Sequence, residues 1–174
     1  LTGLGHKRIK MVMGPPQNYS SLLIRAGSIF RESLLDALAA RGVHLKSADV
    51  LDTDYQWDNA YQTVKRWLCS ESRPTALIFR DDILAMEAFK LANSLGLEVP
   101  RDLSIISSGD ILHDSRLTSL SVPLEAMGEK AVDMIGHIMN GNVVEDCVFP
   151  ATLQIRRTCG TVPLVHDSDG LLVR

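Results

Sequence analysis

The sequence predicts an α/β fold, a parallel sheet with helices on both faces in three layers, and three observations predict it. Short apolar runs alternate with amphipathic stretches three times over roughly the first hundred residues. The apolar runs stop at turn residues, and polar side chains gather directly behind them. Composition permits such a fold: 174 residues, 45% hydrophobic and 22% charged, can enclose a sizeable core in one domain or slightly more.

Ile9-Lys10-Met11-Val12-Met13 is the first strand, closed by Gly14-Pro15-Pro16. Ile29, Leu34, Leu35, Leu38 and Ala39 recur at helical spacing, and Arg41-Gly42 ends that helix, expected over about 25–41, with a cationic last turn and a glycine cap. Ala48-Asp49-Val50-Leu51 is the second strand. Trp57 to Leu68 is a helix with Trp57, Ala60, Tyr61, Val64 and Leu68 on one face. Thr75 to Phe79 is a strand, and Asp82 to Leu95 a helix that stops at Gly96 with Pro100 beyond. Leu103 to Ile106 is the fourth strand.

The second part differs. Leu117 to Val122 is a strand, and Pro123 opens a long helix with Leu124, Met127, Ala131, Met134, Ile135 and Ile138 on one stripe, ended by Gly141. Thr152 to Arg156 is a last strand. The tail 161–174 has no strong period and is expected to be a surface arm or partly disordered. Gly3-Leu4-Gly5 precedes a strand, so it fits a helix cap better than a phosphate cradle.

Several functions are disfavoured at once. Eighteen Lys and Arg against 21 Asp and Glu give a net charge of −3 without any like-charged block, so nothing here attracts a phosphate backbone. No apolar run approaches the roughly 18 residues that span a bilayer. Three widely spaced cysteines without a CxxC fit reduced thiols and a cytoplasmic location. GxSxG, GxxxxGK[ST] and HExxH are absent and the histidines have no ligand spacing, so the expectation is a non-enzyme without cofactor or metal. The chain opens at Leu1 with neither an initiator Met nor an export signal, and is expected to be a piece of a longer polypeptide.

In an open parallel sheet, ligands bind beyond the carboxyl ends of the strands. The residues there are Asn18, Tyr19, Ser20 and Ser21, then Asp52, Asp54 and Trp57, then Arg80, Asp81 and Asp82, and finally Ser107, Ser108 and Asp110. Together they suit a polyhydroxylated or zwitterionic small molecule, with Trp57 or Tyr19 as an apolar platform. Each has a structural alternative. Asp81 or Asp82 caps the following helix, Trp57 anchors the core, and Ser107 and Ser108 are turn residues. Asp81-Asp82 holding magnesium is a further alternative, without a partner carboxylate to support it.

Leu4-Gly5-His6-Lys7-Arg8-Ile9 with Met13-Gly14-Pro15 resembles the "LGHRRI…GP" stretch of the LacI/GalR bacterial transcription regulators. Phe79-Arg80-Asp81-Asp82 with Ala85 and Ala88 resembles their "AND-x-MA-x-GA", and 97–106 their "LxVPxDxSVVG". Residues 117–132 resemble "LTTVxxPxxxMGxxAV", and Arg157-Thr158-Cys159-Gly160 the closing "RxSCG".

The resemblance implies the periplasmic-binding-protein-like, two-lobed effector-binding domain of such a regulator, one lobe nearly complete and part of the other. Residues 1–116 and 145–160 would form the carboxyl-terminal-type lobe, 117–144 a strand and helix of the other, and 161–174 a tail. A small effector (sugar, phosphosugar, nucleoside or organic acid) would bind between lobes and control DNA binding by a helix-turn-helix module outside this chain, in a homodimer away from membranes. Carried over by position, the ligand-binding set is Arg25, Trp57, Asp81, Asp82, Ser108 and Asp110. Gly109 replaces the first Asp of the family's "DD", Ser107 replaces a Gly and Arg80 replaces an Ala, which weakens a sugar site and adds a cation for a carboxylate or phosphate. The alternatives are a transporter's solute-binding protein and an α/β enzyme using Asp81 and Asp82. The apolar stripe of the helix after Pro123 would lack most of its cover and would repack, dimerise or lie exposed.

Overall fold

The run Ile9–Met13 forms β1, whose side chains are buried toward both faces of a sheet. In the computed structural model, residues 1–14, 21–53, 56–112, 114–162, 165–166 and 172–173 are described. β1 is followed by α1 (Ser21–Ala39), β2 (Val50–Asp52), α2 (Trp57–Leu68), β3 (Ala76–Phe79), α3 (Asp82–Ser94), β4 (Ser104–Gly109), β5 (Thr118–Ser121), α4 (Leu124–Met139) and β6 (Thr152–Gln154). The sheet order is β2-β1-β3-β4-β5-β6; β1 to β5 pair in parallel and β6 runs antiparallel to β5. The expected parallel sheet therefore carries one antiparallel edge.

Alternation along each strand sorts the core into two layers. Ile9, Met11, Met13, Ala76 and Ile78 pack with Leu38 and Val43, and with Phe30, Leu34 and Leu35 of α1. Val12, Leu77, Phe79 and Ile105 pack with Ala60, Val64 and Leu68 of α2 and Leu84, Ala85, Ala88, Leu91 and Ala92 of α3. A fully buried Leu or Phe in such a layer contributes about 1.5–3 kcal/mol. Helices thus cover both faces.

Asp81, Gly42, Gly96 and Gly141 mark helix limits where the sequence places them. Gly5, at φ +91°, closes a 3-10 turn over Thr2–Leu4, so the GxG is a cap. Two expectations are corrected. The second strand starts later, because Ser47–Asp49 form a 3-10 turn held by Lys46 N–H donating to Asp49 Oδ2. The strand within 117–144 belongs to the same sheet as β1–β4, since Ile106 to Gly109 pair with Thr118 to Ser121. The connection between them spans eight residues, shorter than the usual crossover, and its described residues 110–112 and 114–117 form no helix. In the tail, Val165–His166 (β7) and Leu172–Val173 (β8) pair antiparallel, where the sequence carries no sign of strands.

α4 buries none of its residues: Leu124, Val132, Ile135 and Ile138 are each more than half exposed. Within this chain nothing covers its stripe among the described residues. An open hollow of about 490 Å³ separates Met127, Lys130, Ala131 and Met134 from residues 146–149. At the amino edge of the sheet, His6 is buried. Its Nδ1 lies 3.0 Å from Thr75 Oγ1, and its Nε2 lies 2.9 Å from the Gly160 carbonyl and 3.0 Å from Ser104 Oγ. Desolvation holds its pKa below the usual histidine value, so it is a neutral core histidine that fastens the segment around Gly160.

Candidate functional site

The register of β1, β3 and β4 places the residues after Val12, Phe79 and Ile106 on one edge of the sheet. Arg80 N–H still donates to the Val12 carbonyl at 2.9 Å, so the side chain that follows β3 starts at a fixed point. From there Arg80 Nη1 lies 3.5 Å from Ser108 Oγ, the long limit of a hydrogen bond, across 28 residues of sequence. The guanidinium carbon sits 4.9 Å from the centroid of the Phe30 ring of α1. Arg80 Nε is buried without a hydrogen-bond partner.

The carboxylates expected to face a ligand are engaged elsewhere. Asp81, in extended backbone, accepts from Ile83 N–H at 2.9 Å and Leu84 N–H at 3.1 Å, so it caps α3. Asp82 is only 1% exposed and accepts from Ser107 Oγ, from Ser119 Oγ at 2.9 Å and from Ile111 N–H at 2.6 Å. It clamps β4, β5 and the loop between them to the start of α3. Gly109 at φ +128° and Asp110 at φ +55° turn the chain after β4, a geometry that disfavours a side chain at 109. Asp110 Oδ1 and Oδ2 then lie 2.6 and 2.9 Å from the two terminal nitrogens of Arg156, which also donates to the Leu117 carbonyl. Hydrogen bonding to Asp110 holds the Arg156 guanidinium above its ordinary range. Asp81, Asp82 and Asp110, expected at the ligand, thus each also hold the edge together through bonds within the chain.

The other expected residues divide as follows. Trp57 opens α2, half-buried against the core, with Tyr61 edge-on at 5.9 Å. Ser108 lies at the edge, buried, beside Arg80. Ser107 is bound to Asp82. Asp52 is paired with Arg31 of α1 at 2.7 and 2.8 Å. Arg25 falls in α1 within 21–27, whose side chains lie outside the described residues, as do Asn18, Tyr19, Ser20, the Ser21 side chain and Asp54.

Sequence reasoning missed Phe30, Arg31 and Arg156. Phe30 and Arg31 sit in a helix whose stripe was read only for its core residues. Arg156 follows a strand whose direction, antiparallel, has no local signal. Among the described residues no cluster of three or more His, Cys, Asp or Glu is placed to hold a metal. No described helix is long and apolar enough to cross a membrane. Asp81 and Asp82, the carboxylate pair of the enzyme alternative, are both hydrogen-bonded within the chain.

Residues 1–159 match the family described as periplasmic binding protein-like domain. The HTH-type transcriptional regulator AglR of Rhizobium meliloti is 31% identical over 172 residues, 94% of this chain and 47% of that protein. The HTH-type transcriptional repressor PurR of Photorhabdus laumondii is 30% identical over 135 residues, 75% of this chain and 38% of that protein. The chain therefore spans less than half the length of either. A crystal structure of a LacI family transcriptional regulator from Bifidobacterium animalis superposes with a TM-score of 0.74 at 30% identity, covering 93% of this chain and 58% of that one.

Proposed function

This chain belongs to the periplasmic binding protein-like domain family, as an effector-binding domain related to LacI-type regulators, and we propose that it senses a small polar molecule at the carboxyl edge of its sheet. The observation that carries this reading is the meeting of Arg80 and Ser108 beside Phe30, two polar side chains and an aromatic ring from separate parts of the chain on one edge. Trp57 supplies an apolar platform, and Arg25 the contact that the family position implies. Asp81, Asp82 and Asp110 keep that edge in shape, so their role in binding is to position Ser108 and the loop after β4.

The effector acts by population shift. A ligand that binds one arrangement of the protein more tightly favours it, and only that difference in affinity can do work on a distant module. That module is a DNA-binding helix-turn-helix outside this chain, in a cytoplasmic homodimer, and α4 contributes to the second lobe that closes over the edge. The protein carries out no chemistry on the ligand.

The test is a thermal-shift screen of the chain against sugars, phosphosugars, nucleosides and organic acids. A ligand at a hundred times its dissociation constant adds about 2.7 kcal/mol to stability. At least one class raises the midpoint, and Ser108→Val reduces the rise. A folded protein stabilised by no class refutes the reading.

A further inference from the structure

Arg80 is the side chain at the carboxyl edge whose bonding is least complete. Its planar guanidinium offers two hydrogen-bonding sides, and Ser108 Oγ takes only Nη1, at 3.5 Å. Nε is shut off from water without a hydrogen-bond partner and Nη2 has no hydrogen bond to a described residue, which leaves the terminal nitrogens as the fork that can receive a carboxylate or phosphate. Every described carboxylate nearby is already bound: Asp52 by Arg31, Asp81 by the first turn of α3, Asp82 by Ser107, Ser119 and Ile111, and Asp110 by Arg156. An internal salt bridge between Arg80 and Asp81, which their adjacency suggests, does not form. The guanidinium carbon lies 4.9 Å from the Phe30 ring centroid, a cation–π contact that helps hold the side chain without using its hydrogen-bond donors.

A partly buried cation with no counter-charge among the described residues is costly unless another group completes it. We infer that the missing group comes from the effector: the ligand carries an oxyanion, a carboxylate or a phosphate, and Arg80 receives it through its terminal nitrogens. This rests on the effector-site reading above and narrows its ligand to an acid. A neutral sugar leaves the fork empty.

The test reads Arg80 directly. In proton–nitrogen spectra of the arginine Nε–H groups of the full chain, the Arg80 signal is the one absent from Arg80→Lys. Inorganic phosphate and acetate are titrated separately at constant ionic strength, with glucose as the neutral control. The Arg80 signal shifts saturably with at least one anion, at concentrations on the order of millimolar for so small a probe, and stays still with glucose. The anion that saturates first tells phosphate from carboxylate. An Arg80 signal unmoved by both anions overturns the inference, whatever the thermal-shift screen finds. In that screen, Arg80→Gln, shown to be folded by circular dichroism, weakens any hit by about tenfold to a hundredfold. A hit bound equally well by Arg80→Gln overturns the oxyanion while leaving the effector reading intact, and an empty screen removes the effector reading itself.

Discussion

Replacing Asp82 with Ala removes the acceptor on which three elements of the edge converge. Ser107 Oγ–H, Ser119 Oγ–H and the Ile111 amide all donate to its carboxylate, and both serines are buried, at 3% and 0% exposure. Hydrogen bonds to a charged acceptor are each worth about 1.5–3 kcal/mol on removal, and each buried donor left behind costs about 1–3 kcal/mol. Relief of the buried charge offsets part of that, so the net loss is about 3 kcal/mol. For a chain of this size that lowers the midpoint of thermal unfolding by roughly 6–12 °C.

Asp82→Asn separates geometry from charge. It keeps an acceptor for the two serines but sets an amide against the Ile111 N–H, which now lies 2.6 Å from Oδ2, and is expected to lose about half as much. Urea unfolding followed by circular dichroism and tryptophan fluorescence reads both variants. An Asp82→Ala protein within about 0.5 kcal/mol of wild type, the range of a neutral surface change, refutes the clamp.

Arg156→Ala breaks the ion pair with Asp110 and leaves a 6%-exposed carboxylate behind, which costs about 2–4 kcal/mol in urea unfolding, whereas Arg157→Ala, next door and exposed, leaves the midpoint unchanged. His6 titrates lower in the folded protein than in the unfolded chain, where its value is about 6.5, so the unfolded state binds the extra proton below that pH. Stability therefore falls as pH drops from 6.5 toward the folded value, and His6→Gln flattens this part of the pH–stability curve; an unchanged slope contradicts the buried-histidine account. The exposed stripe of α4 binds a hydrophobic dye such as ANS, and Val132→Lys with Ile135→Lys removes most of that fluorescence without loss of helix signal.

The elements that sequence reasoning located best are those with local punctuation. β1 ends where Gly14 and two prolines follow, α2 begins and ends at its apolar stripe, and Asp81 reads as a cap because an Asp before an apolar helical period satisfies the first amides. What local pattern could not place was partnership. β5 has the same short polar-apolar character wherever it pairs, and a parallel return through so short a connection is rare enough to point elsewhere. β6 carries no mark of its antiparallel direction.

The candidate site divides along the same line. The rule that ligands lie behind parallel strands found Arg80, Ser108 and Trp57, which the structure does put on or beside the edge. It also nominated Asp81, which caps α3 locally, and two carboxylates whose partners lie far away in sequence: Arg156 is 46 residues from Asp110, and Ser119 is 37 from Asp82. Those distances are closed by sheet register and by the two left-handed residues after β4, neither of which is visible in composition or period.

The measurement that tests the account most directly is hydrogen–deuterium exchange of the chain with and without the strongest ligand from the screen. Protection concentrated at 52–57, 79–82 and 107–111 places the ligand on the carboxyl edge, as the account predicts. Protection confined to α4 and residues 142–151, with the edge unchanged, puts the ligand in the hollow beside α4 and contradicts it.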